Sequence, residues 1–323
     1  MNKLSRRGFL RGAAALTASV SLAGGTGQAE ARENKTLSPK AVGLLFDSTL
    51  CIGCKACVAG CKRANDMPLE QSTTEKFWDT PLDISGKTLN VIKMYQHGTG
   101  EVINREQNGF AFIKKSCLHC VDPSCVSACP VSAMQKDADT GIVSYSKDAC
   151  IGCRYCVAAC PFGVPRFQYD TATPQIQKCQ LCKHLQAKGG IPECANVCPT
   201  GATLFGPVDK LKAEAKRRLA LKEGEVTQFQ RRTVDSATDV QEKGSAKYIN
   251  RLYGEKEGGG TQMLMLSAVP FNKLGLPDLP DKSFASTSET IQGTLYGGMI
   301  LPAVALGGLA FAAHRTAKEE DSK

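Results

Sequence analysis

The 323-residue sequence is 42% hydrophobic and 22% charged, enough apolar material for about two small domains, which excludes disorder as its main state. Its formal charge of +9 suggests a nucleic-acid binder only until the basic residues are located: four of them (Lys3, Arg6, Arg7, Arg11), against the single acid Glu30, lie in a segment that reads as removable, which leaves +6. All 16 cysteines fall between Cys51 and Cys198, so the chain holds either a disulfide framework or a metal-rich module.

In chain order, the first element is a leader. Ser5-Arg6-Arg7-Gly8-Phe9-Leu10-Arg11 precedes an uncharged stretch from Gly12 to Ala29, and Ala29-Glu30-Ala31 offers a small-residue cleavage site. The segment resembles a twin-arginine export signal over residues 1–31, with a mature chain starting near Arg32. It is too short and too rich in glycine to span a bilayer. Twin-arginine export carries proteins already folded, which suits thiolates metallated in the cytoplasm and gives disulfides no advantage.

The cysteines follow in four groups: Cys51, Cys54, Cys57, Cys61; Cys117, Cys120, Cys125, Cys129; Cys150, Cys153, Cys156, Cys160; and Cys179, Cys182, Cys194, Cys198. Group three, ending in Pro161, is the bacterial ferredoxin run C-x2-C-x2-C-x3-C-P, and group one matches it except that Lys62 replaces the proline. Groups two and four lengthen the middle gap and keep the Cys-Pro ending. Structural zinc has no need of a third cysteine so spaced, nor of the proline. Covalent c-type haem needs histidine after a C-x-x-C pair, where Lys55, Val121, Arg154 and Lys183 stand instead. A tight loop wraps three iron corners of a 4Fe-4S cluster, and the fourth cysteine points to a second cluster. The predicted ligand sets are therefore Cys51, Cys54, Cys57 with Cys198; Cys179, Cys182, Cys194 with Cys61; Cys117, Cys120, Cys125 with Cys160; and Cys150, Cys153, Cys156 with Cys129. Four such clusters use every thiol and contribute a charge of about −8, so the basic excess belongs to cluster housing. Lys55, Lys62, Arg63, Lys114, Lys115, Arg154, Lys178 and Lys183, all near ligands, are either solvated surface charge or a means of setting potential.

Short strands are predicted before the groups, at Gly43 to Asp47, Phe110 to Lys114 and Gly141 to Tyr145, with a short helix at Val157-Ala158-Ala159. Residues 62–109, with the only tryptophan, Trp78, lack clear periodicity and read as a surface loop, or as a cap or partner contact. Leu211, Ala215 and Leu219 make Val208 to Leu221 an amphipathic helix. Gly258-Gly259-Gly260 reads as a hinge before a strand at Thr261 to Val269, since no phosphate-loop lysine follows. His97, His119, His184 and His314 are scattered, and no catalytic constellation is apparent.

From Ile291 to Ala313 run 23 residues without a charge, about 34 Å of helix against a hydrocarbon core of about 30 Å. Gly293, Gly297, Ala303 and Gly307 repeat small residues at four-residue spacing, and Pro302 is expected to kink the span. Lys282 precedes the span, whereas Arg315, Lys318 and Lys323 follow it, which keeps the tail at 314–323 inside.

Taken together, residues Leu44 to about Gly206 resemble the four-cluster iron-sulfur subunits of membrane-bound respiratory oxidoreductases, among them those of formate dehydrogenase, dimethyl sulfoxide reductase and polysulfide reductase. Within that family the chain is more similar to the hydrogenase-2 type, in Cys117-Leu118-His119-Cys120-Val121-Asp122-Pro123, in Tyr253 to Gln262 and in Thr294-Leu295-Tyr296. Formate dehydrogenase subunits usually travel on a partner's signal, so the leader argues against them. The expected fold is α+β. Two ferredoxin-like two-cluster modules occupy 32–206, the one with groups two and three (about 110–175) inserted in the one with groups one and four. An extension at 207–290 and a single transmembrane helix at 291–313 follow. The resemblance implies a periplasmic, inner-membrane-anchored relay with four 4Fe-4S clusters and no catalytic residue. It would carry electrons from the large and small subunits of a nickel-iron hydrogenase to a quinone-reactive integral membrane subunit, without nucleic acid. Alternatives are the corresponding subunit of a molybdenum reductase or formate dehydrogenase, and a zinc-binding structural adaptor.

Overall fold

The computed structural model describes residues 31–70 and 80–321, so the leader and Trp78 lie outside the described residues. Strand β1 (Val42–Asp47) leads into group one, whose third and fourth cysteines ride on helix α1 (Ala56–Ala64). The segment expected as a loop supplies strands β2 (Val91–Gln96) and β3 (Val102–Ile103), which flank β4 (Gly109–Lys115), antiparallel and parallel respectively. Group two follows, with Cys125 on the one-turn helix α2 (Ser124–Ser127). The hairpin of β5 (Met134–Lys136) and β6 (Val143–Tyr145) separates it from group three, which ends in α3 (Tyr155–Ala159). A second hairpin, β7 (Arg166–Phe167) with β8 (Ile176–Gln177), leads to group four and its helices α4 (Lys183–Gln186) and α5 (Glu193–Asn196). Then come β9 (Thr203–Pro207), α6 (Val208–Leu219), the hairpin β10 (Val226–Gln230) and β11 (Val240–Gly244), and β12 (Met263–Leu266). The triple glycine is a tight turn entering β12. The last helix is α7 (Phe284–Asp321).

An unbroken apolar run suits a strand covered on both faces, and β1 is the middle strand of a three-stranded sheet, antiparallel to β9 and parallel to β12. Side chains alternate across it. Leu45, Leu204, Leu264 and Leu266 meet Leu211 and Ala215 of α6 on one face, whereas Leu44, Phe46, Met263 and Met265 join the core that holds Cys51, Cys57 and Cys194. Residues Glu33–Ala285 form one compact unit. Inside it α1 packs on α5 and α2 on α3, each pair joining helices from two different cysteine groups.

Helix α7 begins at Phe284, ahead of the uncharged stretch, and contains Pro302. Its segment Phe284–His314 is long and apolar enough to cross a membrane, and its large apolar side chains Leu295, Met299, Ile300, Val304 and Phe311 are exposed.

Candidate metal centres

The same backbone turn recurs in all four groups. The residue before the second cysteine adopts the left-handed conformation: Gly53 (φ 70°), His119 (φ 48°), Gly152 (φ 71°) and Leu181 (φ 52°). That turn aims backbone N–H groups inward, and the N–H groups of Gly152 and Leu181 donate to the sulfurs of Cys150 and Cys179, each at 3.4 Å. Gly53 donates likewise to Cys51. In groups one and three a second left-handed residue, Lys55 or Arg154, starts the helix that carries Cys57 or Cys156. At positions where glycine is absent, burial holds the shape: His119 and Leu181 are both buried, and the Val143 N–H donates to Nδ1 of His119 at 3.0 Å. Burial keeps that imidazole far below its ordinary pKa, and Lys178 and Lys136 lower it further.

All sixteen cysteines are free thiols, and no disulfide joins them. Burial pushes the thiols of Cys51, Cys61 and Cys125 up to about 12, and those of Cys57 and Cys156 up to about 11. Thiols so reluctant to ionise are poor nucleophiles, whereas coordination to a metal deprotonates them outright.

Their electrostatic neighbours sort the cysteines across the sequence groups. After burial and the Gly53 N–H, Cys51 feels Cys57, Cys198 and Cys54. Cys61 feels Cys194 and Cys182, and Cys179 feels Cys61 and Cys194. Cys120 is beside Cys117, Cys125 and Cys160, while Cys156 is beside Cys129, Cys150 and Cys153. Between these sets, Cys57 neighbours Cys194, Cys179 neighbours Cys117, and Cys125 neighbours Cys156.

The donor set suits iron-sulfur clusters. Cys61, Cys179, Cys182 and Cys194 line one cavity together with Leu44 and Leu181. Among the described residues no three His, Cys, Asp or Glu side chains gather closely enough for a single ion. The eight basic residues near ligands also divide. Arg63, Arg154 and Lys183 are exposed and Lys55 and Lys115 half-buried, whereas Lys62, Lys114 and Lys178 are buried.

Residues of the C-terminal extension complete the housing of group two, a role that no motif announces. The Val121 N–H donates to the Gly260 carbonyl at 2.9 Å, and the Gln262 N–H to the Leu118 carbonyl at 3.1 Å. Lys136 Nζ donates to the carbonyls of Cys120 and Gly141 and to Gln262 Oε1, at 2.8–2.9 Å. The Gln262 amide in turn donates to the carbonyls of Val42 and Thr140. Two segments that carried the closer resemblance, Cys117 to Pro123 and Tyr253 to Gln262, thus touch.

Cysteine turns of this kind, with sulfurs met by backbone N–H groups, define an iron-sulfur protein of ferredoxin-like type. The 4Fe-4S dicluster domain family matches residues 109–208. Over 294 residues the chain is 48% identical to the hydrogenase-2 operon protein HybA of Escherichia coli O157:H7, covering 90% of this chain and 89% of that one. It is 32% identical over 269 residues to the formate dehydrogenase-O iron-sulfur subunit of Escherichia coli K12, covering 82% and 78%. To the formate dehydrogenase iron-sulfur subunit of Haemophilus influenzae it is 31% identical over 287 residues, covering 88% and 80%. The chain belongs to this family of iron-sulfur subunits, which includes the hydrogenase-2 operon protein.

Proposed function

We propose that the chain is the electron-transfer subunit of a membrane-bound hydrogenase, housing four 4Fe-4S clusters in the four crossed ligand sets given above and making no substrate bond itself. A 4Fe-4S cluster, when bound, takes up and gives back single electrons. The observation that carries the reading is the neighbourhood of the thiols. Each proposed set is internally close, and successive sets abut through Cys57 and Cys194, Cys179 and Cys117, and Cys125 and Cys156. The relay therefore runs from the set of Cys51, through those of Cys61 and Cys120, to that of Cys156. The same pairing supports two nested modules, with α1 packed on α5 and α2 on α3.

The remaining parts fit that role. Residues 1–31 act as the twin-arginine leader, 32–206 hold the clusters, and 207–290 brace them. Residues 291–313 anchor the periplasmic body to the inner membrane, with 314–323 in the cytoplasm. Electrons from hydrogen oxidation in the nickel-iron heterodimer pass through this chain to a quinone-reactive integral membrane subunit. The formate dehydrogenase relatives favour a second reading, service to a formate or molybdenum enzyme.

The anaerobically purified protein is expected to hold close to sixteen iron atoms, one ligand thiol for each; eight iron with eight free thiols defeats the reading. Cys198→Ser should disturb the paramagnetic signal of the set containing Cys51 and spare that of Cys179; loss confined to the latter refutes the crossing. Mild detergent extraction then separates the partners: a nickel-iron heterodimer copurifies on the first reading, a molybdenum enzyme on the second.

A further inference from the structure

Lys114 stands on β4, opposite Ile92 of β2, and is 1% exposed. The other two buried lysines near ligands have backbone acceptors: Lys62 Nζ donates to the carbonyls of Pro68 and Lys87, and Lys178 Nζ to those of Val143 and Cys179 and also to Cys117 Sγ at 3.8 Å. Lys114 Nζ has no hydrogen-bond partner among the described residues. It lines the cavity walled by Cys61, Cys179, Cys182 and Cys194, where Asn90 Oδ1 is likewise without a partner.

An ammonium removed from water and given no acceptor is tolerated in an apolar interior only where negative charge stands close by. Among the groups lining this cavity only the cysteines can carry negative charge, since Leu44, Asn90, Ser116, Leu181 and Pro192 supply the rest of the wall. We propose that Lys114 is a fixed cation shared by the two clusters of the outer module, the one on Cys51, Cys54, Cys57 and Cys198 and the one on Cys61, Cys179, Cys182 and Cys194, and that it raises the reduction potential of both. The proposal rests on the four-cluster reading. Its neighbours span both sets: Cys57 belongs to the first, and Cys194, Cys61 and Cys179 to the second. Burial works against the ammonium, and these sulfurs, once coordination has made them thiolates, work for it.

The physical effect follows from the charge balance. Each oxidised site carries about −2 and becomes about −3 on taking an electron. One positive charge in a medium of low dielectric stabilises the more negative state more. With a single cation shared by two adjacent sites, both potentials rise together.

Redox titration of the full chain, monitored by paramagnetic resonance, tests this with Lys114→Met and Lys114→Arg beside the wild type. Lys114→Met should retain its iron and lower the reduced-to-oxidised ratio of two clusters by at least tenfold at fixed potential, about 59 mV for one electron. The other two clusters should not move, and Lys114→Arg should match the wild type. Full iron with four unchanged potentials in Lys114→Met overturns the proposal. If Lys114→Met instead loses iron from the outer sets, retention by Lys114→Arg supports the charge role, and equal loss in both variants refutes it. A wild type holding only eight iron defeats the four-cluster reading, a failure distinct from these.

Discussion

Gly53 and Gly152 occupy the same place in two copies of Cys-Ile-Gly-Cys, yet their surroundings differ. A methyl group on Gly53 would stand 2.4 Å from the ring of Phe112, whereas one on Gly152 would meet Phe167 at an ordinary 3.7 Å. Both substitutions carry the left-handed backbone penalty of about 1–2 kcal/mol, and only the first adds a clash with a core ring. Gly53→Ala should therefore cost more iron, lost from the set of Cys51, than Gly152→Ala costs the set of Cys156. Iron content and paramagnetic resonance measure this, and equal losses would show that Phe112 yields freely. At this scale the four cysteine groups were legible because metal geometry imposes spacing on sequence. The turns at His119 and Leu181 were not, since tertiary burial rather than residue type holds their backbones. Lys114 was named with seven other basic residues, and nothing in its local sequence separated a buried ammonium from a surface one.

Helix α6 shows the limit of periodicity. Leu211, Ala215 and Leu219 marked its inner face correctly, but Glu214 and Arg218 are buried beside them. Arg218 donates to Glu214 at 2.7 Å and to Asp47 of β1 at 2.9 Å, and Tyr248 donates to the same carboxylate at 2.8 Å. Asp47 lies 171 positions away in sequence, so no local pattern could reveal the pair. Arg218→Met leaves two buried carboxylates without that counter-charge and should cost about 3–5 kcal/mol, read as a lower urea midpoint by circular dichroism; an unchanged midpoint rejects it. Burial raises Glu214, but hydrogen bonds from Arg217 and Arg218 outweigh it and hold its carboxyl below the usual range. Its stabilising contribution is thus complete above its unfolded value and is lost as pH falls through the lower folded one. In α7, a side chain added at Gly293, Gly297 or Gly307 meets nothing within 4 Å, so the helix itself tolerates enlargement. If this face packs on the quinone-reactive subunit, Gly297→Leu should keep the chain in the membrane and lower hydrogen-dependent quinone reduction. On the proposed relay, dye reduction by the hydrogenase bypasses this chain and should stay; unchanged quinone reduction would make the span a tether only.

The molecule as a whole was readable as far as its cysteines and its apolar tail, because each obeys a rule expressed over a few tens of residues. The role of segments 91–96 and 253–266 was hidden, since both derive their meaning from partners far away in the chain. Strand β1 makes this concrete: it stands just after the proposed leader, yet its neighbours are Thr203–Pro207 and Met263–Leu266. On a translating ribosome the first cysteine group emerges early and waits, unsheltered, until nearly the whole body has been synthesised. Closure over such separations is slow compared with local folding. The order of synthesis is therefore the reverse of the order of readiness. If residues 1–31 are the proposed export leader, that address is finished first and the strand beside it is locked in last, so departure has to wait for the arrival of residue 266.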